Sequence, residues 1–287
     1  MIKVSVGIPV YNEGKHLSQL LHAVSAQTYV AMEIIVSDNA STDNTWEIIQ
    51  EYAAKDNRFK IVRHPKNMGA HFNFKYVLER ATGEYFIWAG GHDVWGEGVI
   101  ASCVGHLDAN PHTMLCVPQT RWMDESGKLL PITVRNVDTC GAPNQAERIL
   151  RFFRQMDRCS AIYGLHRRAS LIATLPWPKV IGPDFITLLR IAKKGDIVTD
   201  HGTFWCRRKN RVEKPGEAQQ RQIKTLGISG MAAKYPNLCS RLAVIREVCP
   251  TTGGLISRLK LIGYFTWRLF FRPEQFRILL KELVLPR

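Results

Sequence analysis

Polar side chains follow two apolar segments near the beginning of the chain. The first segment ends at Pro9 and is followed by Tyr11 and Glu13, and the second segment ends at Asp38. In an α/β sheet, the carboxyl ends of neighbouring strands open on one crevice, where ligands bind. A carboxylate accepts hydrogen bonds and donates none, so Glu13 and Asp38 suit a ligand that carries N–H or O–H groups. Tyr11 and Asp38, each taken alone, also fit an ordinary turn at the end of a strand.

The elements that would position these residues alternate between strand and helix patterns over the first third of the chain. Short apolar runs predict strands at about 3–9, 32–37, 59–62 and 84–89. The segments between them carry apolar residues at helical spacing, and this βαβαβ order predicts a mostly parallel sheet with helices on both faces. Farther along the chain, the pattern predicts helices at 145–158, 184–194 and 220–287.

Several motifs, in this order, resemble those of a family-2 glycosyltransferase. They are the two strand ends, the loop 66–69, the segment 83–93 and the segment 181–192. The resemblance covers about residues 3–210. It implies an α/β protein with the GT-A fold, in which a mostly parallel sheet is flanked by helices, here followed by a C-terminal helical extension.

The resemblance also implies a division of the chain. A glycosyltransferase domain is predicted over 1–215, with a nucleotide-binding half at 1–95 and an acceptor half at 96–215. Residues 216–287 form the predicted basic helical extension.

The family resemblance implies a nucleotide in the first crevice. In this family the loop that begins with Pro9 lines the nucleotide pocket, where the Tyr11 ring can pack on the base. A carboxylate such as Glu13 can accept a hydrogen bond from base or ribose. Asp38 matches the family's acid that hydrogen-bonds a pyrimidine base, and an acceptor-only group suits that role.

Two polar segments are predicted to lie near the phosphates of the donor. By resemblance, Lys66 and Asn67 belong to a loop near the diphosphate, and Arg207 and Arg208 occupy a place where family members often carry a histidine. Arginine is well shaped for phosphate oxygens, so this pair is a candidate to neutralise the leaving diphosphate. The alternative for Lys66 and for the arginine pair is a solvated basic loop.

The segment 90–93 corresponds to the metal motif of the family, which is normally Asp-x-Asp followed by another Asp. Such carboxylates hold a divalent cation, Mn²⁺ or Mg²⁺, against the donor diphosphate. Here the motif reads Gly90, Gly91, His92 and Asp93. Gly91 is predicted to line the nucleotide-sugar site and His92 and Asp93 to hold the metal, since imidazole suits Mn²⁺ or Zn²⁺ better than Mg²⁺. The alternatives are that basic side chains replace the metal and that the site is inactive.

A single carboxylate matches the catalytic base of the family. Family members carry an Asp or Glu-Asp at the start of a helix there, and Asp184 is the matching residue in this chain. One carboxylate is needed to take the proton from the acceptor hydroxyl as that hydroxyl attacks the anomeric carbon. The alternative is an ordinary helix N-terminal Asp, stabilised by the helix dipole.

Composition and charge narrow the partners and the compartment. The chain has 287 residues, a formal net charge of +14 and a sequence pI of about 9.6. No zinc-finger spacing, RNP-like signature or glycine-arginine tract occurs, so nucleic acid is not a predicted partner. The seven cysteines include no C-x-x-C pair, which favours a reduced cytosolic setting. The first apolar run is too short for a signal peptide, and no apolar stretch is long enough to span a bilayer.

The last 33 residues, 255–287, combine basic and aromatic side chains. They contain seven Lys or Arg and two Glu, which gives a net charge of +5. A basic, aromatic and amphipathic helix pair is expected to lie in the headgroup region of an anionic membrane, where lipid-linked sugar acceptors are found. The alternative is that these helices pack onto the catalytic domain with their charges outward.

The family resemblance implies an inverting glycosyltransferase that moves a sugar from a nucleoside-diphosphate sugar, preferably a UDP-sugar, to a hydroxyl of a glycan or lipid-linked glycan. The predicted process is surface polysaccharide synthesis, such as O-antigen or capsule, at the cytoplasmic face of the cell membrane. The alternative is a non-catalytic relative that binds nucleotide sugars and acts as a membrane scaffold subunit. A nucleic-acid-binding protein is a third, more distant reading.

Overall fold

The computed structural model describes residues 3–132, 134–135, 137–156, 159–209, 216–268 and 273–284. Within these residues nine strands form one sheet. The strands are β1 (Val4–Val10), β2 (Met32–Asp38), β3 (Phe59–Arg63), β4 (Tyr85–Trp88), β5 (Val94–Trp95), β6 (Thr113–Met123), β7 (Leu129–Leu130), β8 (Leu165–Arg167) and β9 (Asp196–Arg208).

The longest strand pairings in the sheet are parallel. β1 pairs in parallel with β2 on one side and β4 on the other, and β2 pairs in parallel with β3. β6 and β9 are also parallel, whereas β5, β7 and β8 form short antiparallel pairs. The strand order is β3-β2-β1-β4-β8-β6-β9-β5, with β7 beside β6. The predicted mostly parallel α/β sheet is therefore confirmed.

Helices connect these strands and continue beyond them. The helices of the described residues are α1 (Leu17–Ser25), α2 (Thr45–Lys55), α3 (Ala70–Arg80), α4 (Val99–Ala109), α5 (Gln145–Gln155), α6 (Arg168–Ile172), α7 (Pro183–Lys194), α8 (Glu217–Thr225), α9 (Met231–Lys234), α10 (Pro236–Val248), α11 (Leu255–Thr266) and α12 (Pro273–Val284). α5 ends before the predicted 158, since a 3-10 turn follows at Cys159–Tyr163. Residues 157 and 158 lie outside the described residues.

The buried apolar side chains form two clusters, one on each face of the sheet. One cluster contains the apolar faces of α1, α2 and α4, and the other contains those of α3, α5 and α7. In α1 the buried residues are Leu17, Leu20, Leu21 and Val24, which is the spacing of one helical face. Helices therefore cover both faces of the sheet, as the sequence pattern predicts.

The C-terminal helices pack against the α5 side of the domain. Val244 and Val248 of α10 and Leu261 and Phe265 of α11 belong to the same buried cluster as α5 and α7. No helix in the described ranges is long and apolar enough to cross a membrane. The predicted boundary at 215/216 coincides with an edge of the described residues, because 210–215 are outside them, so that division stays a prediction.

Candidate active site

The loops that follow β1 and β2 hold each other in place. The Asn12 N–H donates to Ser41 Oγ at 2.9 Å, and the Thr42 N–H donates to Asn12 Oδ1 at 2.8 Å. Asn12 and Ala40 have positive φ angles of 54° and 61°, a left-handed conformation that costs energy in residues other than glycine. The hydrogen bonds between the loops stabilise this conformation, so the two strand ends form one fixed edge.

A crevice of about 850 Å³ opens at this edge, a size that suits a nucleotide. Pro9, Tyr11 and Glu13 line one side of it, and the segment 67–75, which includes the start of α3, lines another. The segment 224–227, at the end of α8, forms the far wall. Tyr11 is 44% exposed, so its ring is open to a ligand. The structure therefore brings together Pro9, Tyr11, Glu13 and Asn67 as the sequence predicts.

Asp38 lies beside this crevice rather than in its lining. The carboxylate is fully buried, and its Oδ1 accepts from the Ser41 N–H at 3.0 Å. Its Oδ2 faces Arg63 Nε at 3.3 Å and has no hydrogen-bond partner among the described residues. The next residue, Asn39, lines the crevice and donates from Nδ2 to Asn67 Oδ1 at 2.9 Å. Asn39 is a wall residue that the sequence reasoning missed, and its only signal was the place next to Asp38.

The metal-motif segment is packed against the loop that follows β1. His92 Nδ1 lies 3.2 Å and 3.3 Å from the two carboxylate oxygens of Glu13. Asp93 is only 1% exposed, and its Oδ1 has no hydrogen-bond partner in the described part of the chain. A Cβ atom at Gly90 would lie 2.8 Å from Asp93 Oδ2, and one at Gly91 would lie 2.7 Å from Glu13 Cγ. The two glycines therefore make room for the acidic side chains beside them.

The charges of this segment are coupled. Burial raises the pKa of Asp93 to about 6, although the positive charges of Arg207 and His92 oppose the rise. Burial lowers the pKa of His92, but the hydrogen bond to Glu13 and the charge of Asp93 outweigh it, so this pKa is raised overall. Across the described residues, no group of three or more His, Cys, Asp or Glu side chains is arranged to hold a metal ion.

Asp184 lies at the start of α7, as the sequence predicts. Gly182 precedes the helix with a φ of 67°, which favours glycine, and Pro183 occupies the first turn. The Gly182 N–H donates to Gln222 Oε1 of α8 at 3.1 Å. A helix beyond the predicted transferase domain thus helps to fix the segment that carries the predicted base.

A second cavity, of about 210 Å³, opens in front of Asp184. Aromatic side chains dominate its lining, among them Trp88, Tyr163 and Trp177. It shares five lining residues with the crevice, so the two cavities adjoin; the shared residues are Ala70, His71, Phe74, Thr225 and Leu226. The sequence reasoning missed these aromatic residues, because they come from distant segments that only the fold brings together.

The Asp184 side chain is exposed to this cavity, but protein surrounds it on the other sides. This surrounding reduces its solvation and raises its pKa, while the charge of Arg207 acts in the opposite direction. A raised pKa makes a carboxylate a stronger base once it is ionised, which suits proton abstraction from a hydroxyl.

Three of the predicted phosphate-binding residues, Lys66, Arg207 and Arg208, line neither cavity. Lys66 is exposed and does not line the crevice. Arg208 is buried and donates to the carbonyl oxygens of Asp124 at 3.1 Å and Glu125 at 2.8 Å. Arg208 therefore holds the turn between β6 and β7, and its strand neighbour must point to the opposite face of the sheet.

That neighbour, Arg207, points toward the candidate site. Its guanidinium carbon lies 4.9 Å from the ring centre of Tyr163, 5.2 Å from that of Trp122 and 5.5 Å from that of Trp205. Its charge also lowers the pKa of both Asp93 and Asp184, against the larger effect of burial on each. The structure therefore separates the two arginines that the sequence reasoning had grouped.

Comparison with known proteins identifies the family. The model of Glycosyl transferase family 2 matches residues 5–156, just over half of the chain, and the chain belongs to this family. One relative is the putative teichuronic acid biosynthesis glycosyltransferase TuaG of Bacillus subtilis, which is 36% identical over 92 residues. That match covers 32% of this chain and 36% of TuaG. In the curated relatives that this chain matches, the match covers only about a third of the relative's own length.

Solved structures share the fold. TarS of S. aureus, in complex with UDP-GlcNAc, aligns with a TM-score of 0.68 and 17% identity, over 98% of this chain and 79% of that chain. The mannosyltransferase PcManGT of Pyrobaculum calidifontis, in complex with GDP-Man and Mn²⁺, aligns with a TM-score of 0.56 and 17% identity. This alignment covers 98% of this chain and 86% of that chain. The predicted GT-A fold is confirmed by this similarity.

Proposed function

We propose that this protein is an inverting glycosyltransferase that moves a sugar from a nucleoside-diphosphate sugar to a hydroxyl of a glycan or lipid-linked glycan. The observation that carries this proposal is the position of Asp184, in a cavity that adjoins the crevice formed by the β1 and β2 loops. A donor in the crevice would present its anomeric carbon near this boundary, and an acceptor hydroxyl would enter beside the carboxylate.

The transfer follows from this placement. The ionised Asp184 takes the proton from the acceptor hydroxyl, and the hydroxyl oxygen forms a bond to the anomeric carbon. The bond between that carbon and the β-phosphate oxygen breaks on the opposite face, and its electron pair leaves with the diphosphate. Attack opposite the leaving group inverts the anomeric configuration.

A UDP-sugar is the favoured donor. TarS has been solved with UDP-GlcNAc, which supports this class, whereas PcManGT binds GDP-Man. In this chain, the exposed ring of Tyr11 can pack on a base. The buried Asp38 Oδ2 lacks a hydrogen-bond partner in the described ranges, and it can accept from a base N–H if the base reaches it.

The predicted metal ligands have mixed support. The Mn²⁺ bound in PcManGT supports a divalent cation in this fold. Here, however, the side chains of His92 and Glu13 contact each other, and Asp93 is buried with its Oδ2 close to Gly90. These residues do not fit a cation held by three protein ligands, and the transfer step above uses only groups of the chain.

The acceptor is proposed to be a growing surface polysaccharide at the cytoplasmic face of a membrane. The similarity to TuaG, a putative teichuronic acid biosynthesis glycosyltransferase, supports a polysaccharide acceptor. The exposed apolar faces of α11 and α12 support the proposed position at a membrane. The exposed apolar residues at helical spacing are Leu255, Ile256, Leu259 and Ile262 of α11, and Phe276, Leu280, Leu283 and Val284 of α12; Ile278 of α12 is also exposed, on another side of that helix.

Each of these faces follows helical spacing and has basic side chains next to it. Arg258 and Lys260 lie on α11, and Arg277 and Lys281 lie on α12. Apolar faces flanked by cations match the headgroup region of an anionic bilayer. Residues 269–272 and 285–287 of the predicted membrane segment 255–287 lie outside the described residues.

The membrane proposal predicts a loss of lipid binding when the α11 face is charged. Leu255→Glu combined with Leu259→Glu is expected to reduce sedimentation with phosphatidylglycerol vesicles by about tenfold or more, because it removes apolar contact and adds repulsion. Leu242→Glu, at an exposed leucine of α10, is the matched control and is expected to bind as the unmodified chain does. Equal vesicle binding by all three proteins would contradict the proposal.

The base assignment predicts the pH dependence of transfer. Because Asp184 has a raised pKa and acts when ionised, kcat/KM is expected to fall as the pH drops through that raised value. The fall should therefore begin at a higher pH than an ordinary aspartate allows. An acid limb that persists unchanged in the residual activity of Asp184→Asn would assign the titration to another group.

The direct experiment is a transfer assay. Radiolabelled UDP-sugars are incubated with the protein and a bacterial extract of lipid-linked glycans, and the label in the organic phase and the released UDP are measured. The proposal expects both to increase together with time. Tight nucleotide-sugar binding with neither transfer nor donor hydrolysis would favour the non-catalytic scaffold instead.

A further inference from the structure

Among the described residues, the guanidinium of Arg207 has no hydrogen-bond acceptor, and it lies beside Tyr163, which lines the Asp184 cavity. Its Nε is buried with no hydrogen-bond partner, and throughout the described ranges no ion pair or hydrogen bond engages its guanidinium. Arg208 and Arg190 differ, since Arg208 binds two backbone carbonyls and Arg190 binds Glu247. Of the five N–H donors of this guanidinium, the Nε–H is the buried one without a partner among the described residues, which is unfavourable unless a ligand accepts it.

Three aromatic rings hold this guanidinium. Tyr163, Trp122 and Trp205 lie with their ring centres 4.9–5.5 Å from its central carbon. Aromatic faces stabilise a cation without using its N–H groups in the way that a carboxylate does. The rings thus fix the position of the charge and keep its donors for an anion. Tyr163 also lines the cavity in front of Asp184, so the cation adjoins the place of sugar transfer.

The metal-motif positions of this chain are filled by its own side chains. A side chain at Gly90, the place of the first carboxylate in the family motif, would begin 2.8 Å from Asp93 Oδ2. A side chain at Gly91 would begin 2.7 Å from Glu13 Cγ. The space is therefore shaped for Glu13 and Asp93 rather than for the usual carboxylate ligands. The charge of the departing diphosphate must then be met by another cation nearby.

We propose that Arg207 binds the β-phosphate of the donor and takes over the role of the divalent cation, so that transfer proceeds without a metal. This inference rests on the proposed transferase function. As the bond from the anomeric carbon to the β-phosphate oxygen breaks, its electron pair stays on the phosphate, and the guanidinium N–H groups donate to the oxygens that gain charge.

Calorimetric titration in the presence of EDTA tests this proposal. The ligands are the pairs UDP and UMP, GDP and GMP, and dTDP and dTMP, in which the second member lacks the β-phosphate. The unmodified protein is expected to bind one diphosphate in EDTA, and added Mn²⁺ is expected to change its affinity by less than about threefold. Diphosphate binding that disappears in EDTA and returns with Mn²⁺ would overturn the proposal, without need of any variant.

Variants locate the effect at the β-phosphate. Arg207→Gln is expected to weaken diphosphate binding by about 10- to 100-fold, as for a lost hydrogen bond to a charged group, and to leave monophosphate binding within about twofold. Arg207→Lys keeps the positive charge but lacks the planar set of N–H donors. Its affinity for the diphosphate is expected to lie between those of the unmodified protein and Arg207→Gln. Equal losses for diphosphate and monophosphate would mean that Arg207 only maintains the fold, and would contradict the proposal.

A control variant and the pattern of nucleotide binding distinguish a failure of the Arg207 proposal from a failure of the proposed transferase function. Arg121 stacks on Phe204, with 3.9 Å between its guanidinium carbon and the ring centre, and Phe204 lines neither cavity, unlike the Tyr163 partner of Arg207. Arg121→Gln is therefore expected to bind as the unmodified protein does. If no nucleotide of any pair binds with or without Mn²⁺, the transferase function itself fails. If a nucleoside diphosphate binds only with Mn²⁺, the transferase function remains supported and the proposed role of Arg207 is contradicted.

Discussion

Asp184→Asn is expected to lower the rate of sugar transfer by about 10²- to 10⁴-fold while leaving nucleotide-sugar affinity almost unchanged. The amide keeps the shape of the side chain but cannot accept the proton of the acceptor hydroxyl, and that range is typical of a lost general base. The carboxylate is open to the cavity and makes no ion pair in the described part of the chain, so the fold does not depend on its charge. The measurement is kcat for UDP release together with the calorimetric Kd of the donor.

The matched control for this variant is Asp56→Asn. Asp56 lies at the end of α2, paired with Arg58, and lines neither the crevice nor the Asp184 cavity. The Asp56→Asn variant is expected to transfer sugar at the rate of the unmodified protein. Full activity of Asp184→Asn would remove this carboxylate from the mechanism, and a parallel loss of donor binding would assign it a binding role.

Glu33→Ala is expected to destabilise the protein by about 1–3 kcal/mol, because it leaves the buried Ser5 and Thr82 donors without their acceptor. Glu33 in β2 is 1% exposed and accepts from Ser5 Oγ at 2.6 Å and from the N–H and hydroxyl of Thr82, each at 2.7 Å. Lys60 of β3 also donates to it. Burial alone would raise the pKa of Glu33, but the hydrogen bonds from Lys60, Ser5 and Thr82 together outweigh it and lower the pKa to about 2.

The readout for Glu33→Ala is the free energy of unfolding from urea titration at neutral pH. Glu51→Ala, on the exposed side of α2, is the control and is expected to change stability by less than about 0.5 kcal/mol. A loss below about 1 kcal/mol for Glu33→Ala would show that the network contributes little net stability. Because the pKa of Glu33 is lowered in the folded state, its ionised carboxylate stabilises the protein at neutral pH. This contribution to the free energy of unfolding is lost as the pH falls from the ordinary pKa of a glutamate toward about 2.

Local patterns in the sequence were sufficient for the first half of the fold. The apolar runs that end at Pro9 and Asp38 are β1 and β2, and their polar ends do meet at one edge of the sheet. The start of α7 at Pro183 also follows from local signals, since Gly182 and Pro183 mark a helix N-terminus. These features depend on neighbours in sequence, and a single chain displays them directly.

The features that could not be read from the sequence depend on long-range pairing. Arg207 and Arg208 are adjacent in sequence, and only their strand in the sheet decides that one faces the site and the other holds the 124–125 turn. The aromatic cage of Arg207 joins residues from β6, β9 and the turn before β8. No periodic pattern in the local sequence indicates that these residues come together.

The same limit applies to the end of the chain. A basic and apolar tail predicts an extension, but nothing in the composition of α8 indicates that Gln222 contacts Gly182 or that Thr225 lines both cavities. The role of the metal motif could be questioned from the sequence, since Gly90 replaces a carboxylate. The structure adds that a side chain at that position would require the Asp93 carboxylate to shift.

Calorimetric titration of intact nucleotide sugars is the most direct test of the central claim, that the crevice at the ends of β1 and β2 holds a nucleotide-sugar donor. The panel contains UDP-glucose, UDP-galactose, UDP-GlcNAc and GDP-mannose, each titrated into the unmodified protein with EDTA and again with Mn²⁺. The expected result is binding of one donor with one site per chain, displaced by its free nucleoside diphosphate and retained in Asp184→Asn. Absence of binding by every donor under both conditions would contradict the claim.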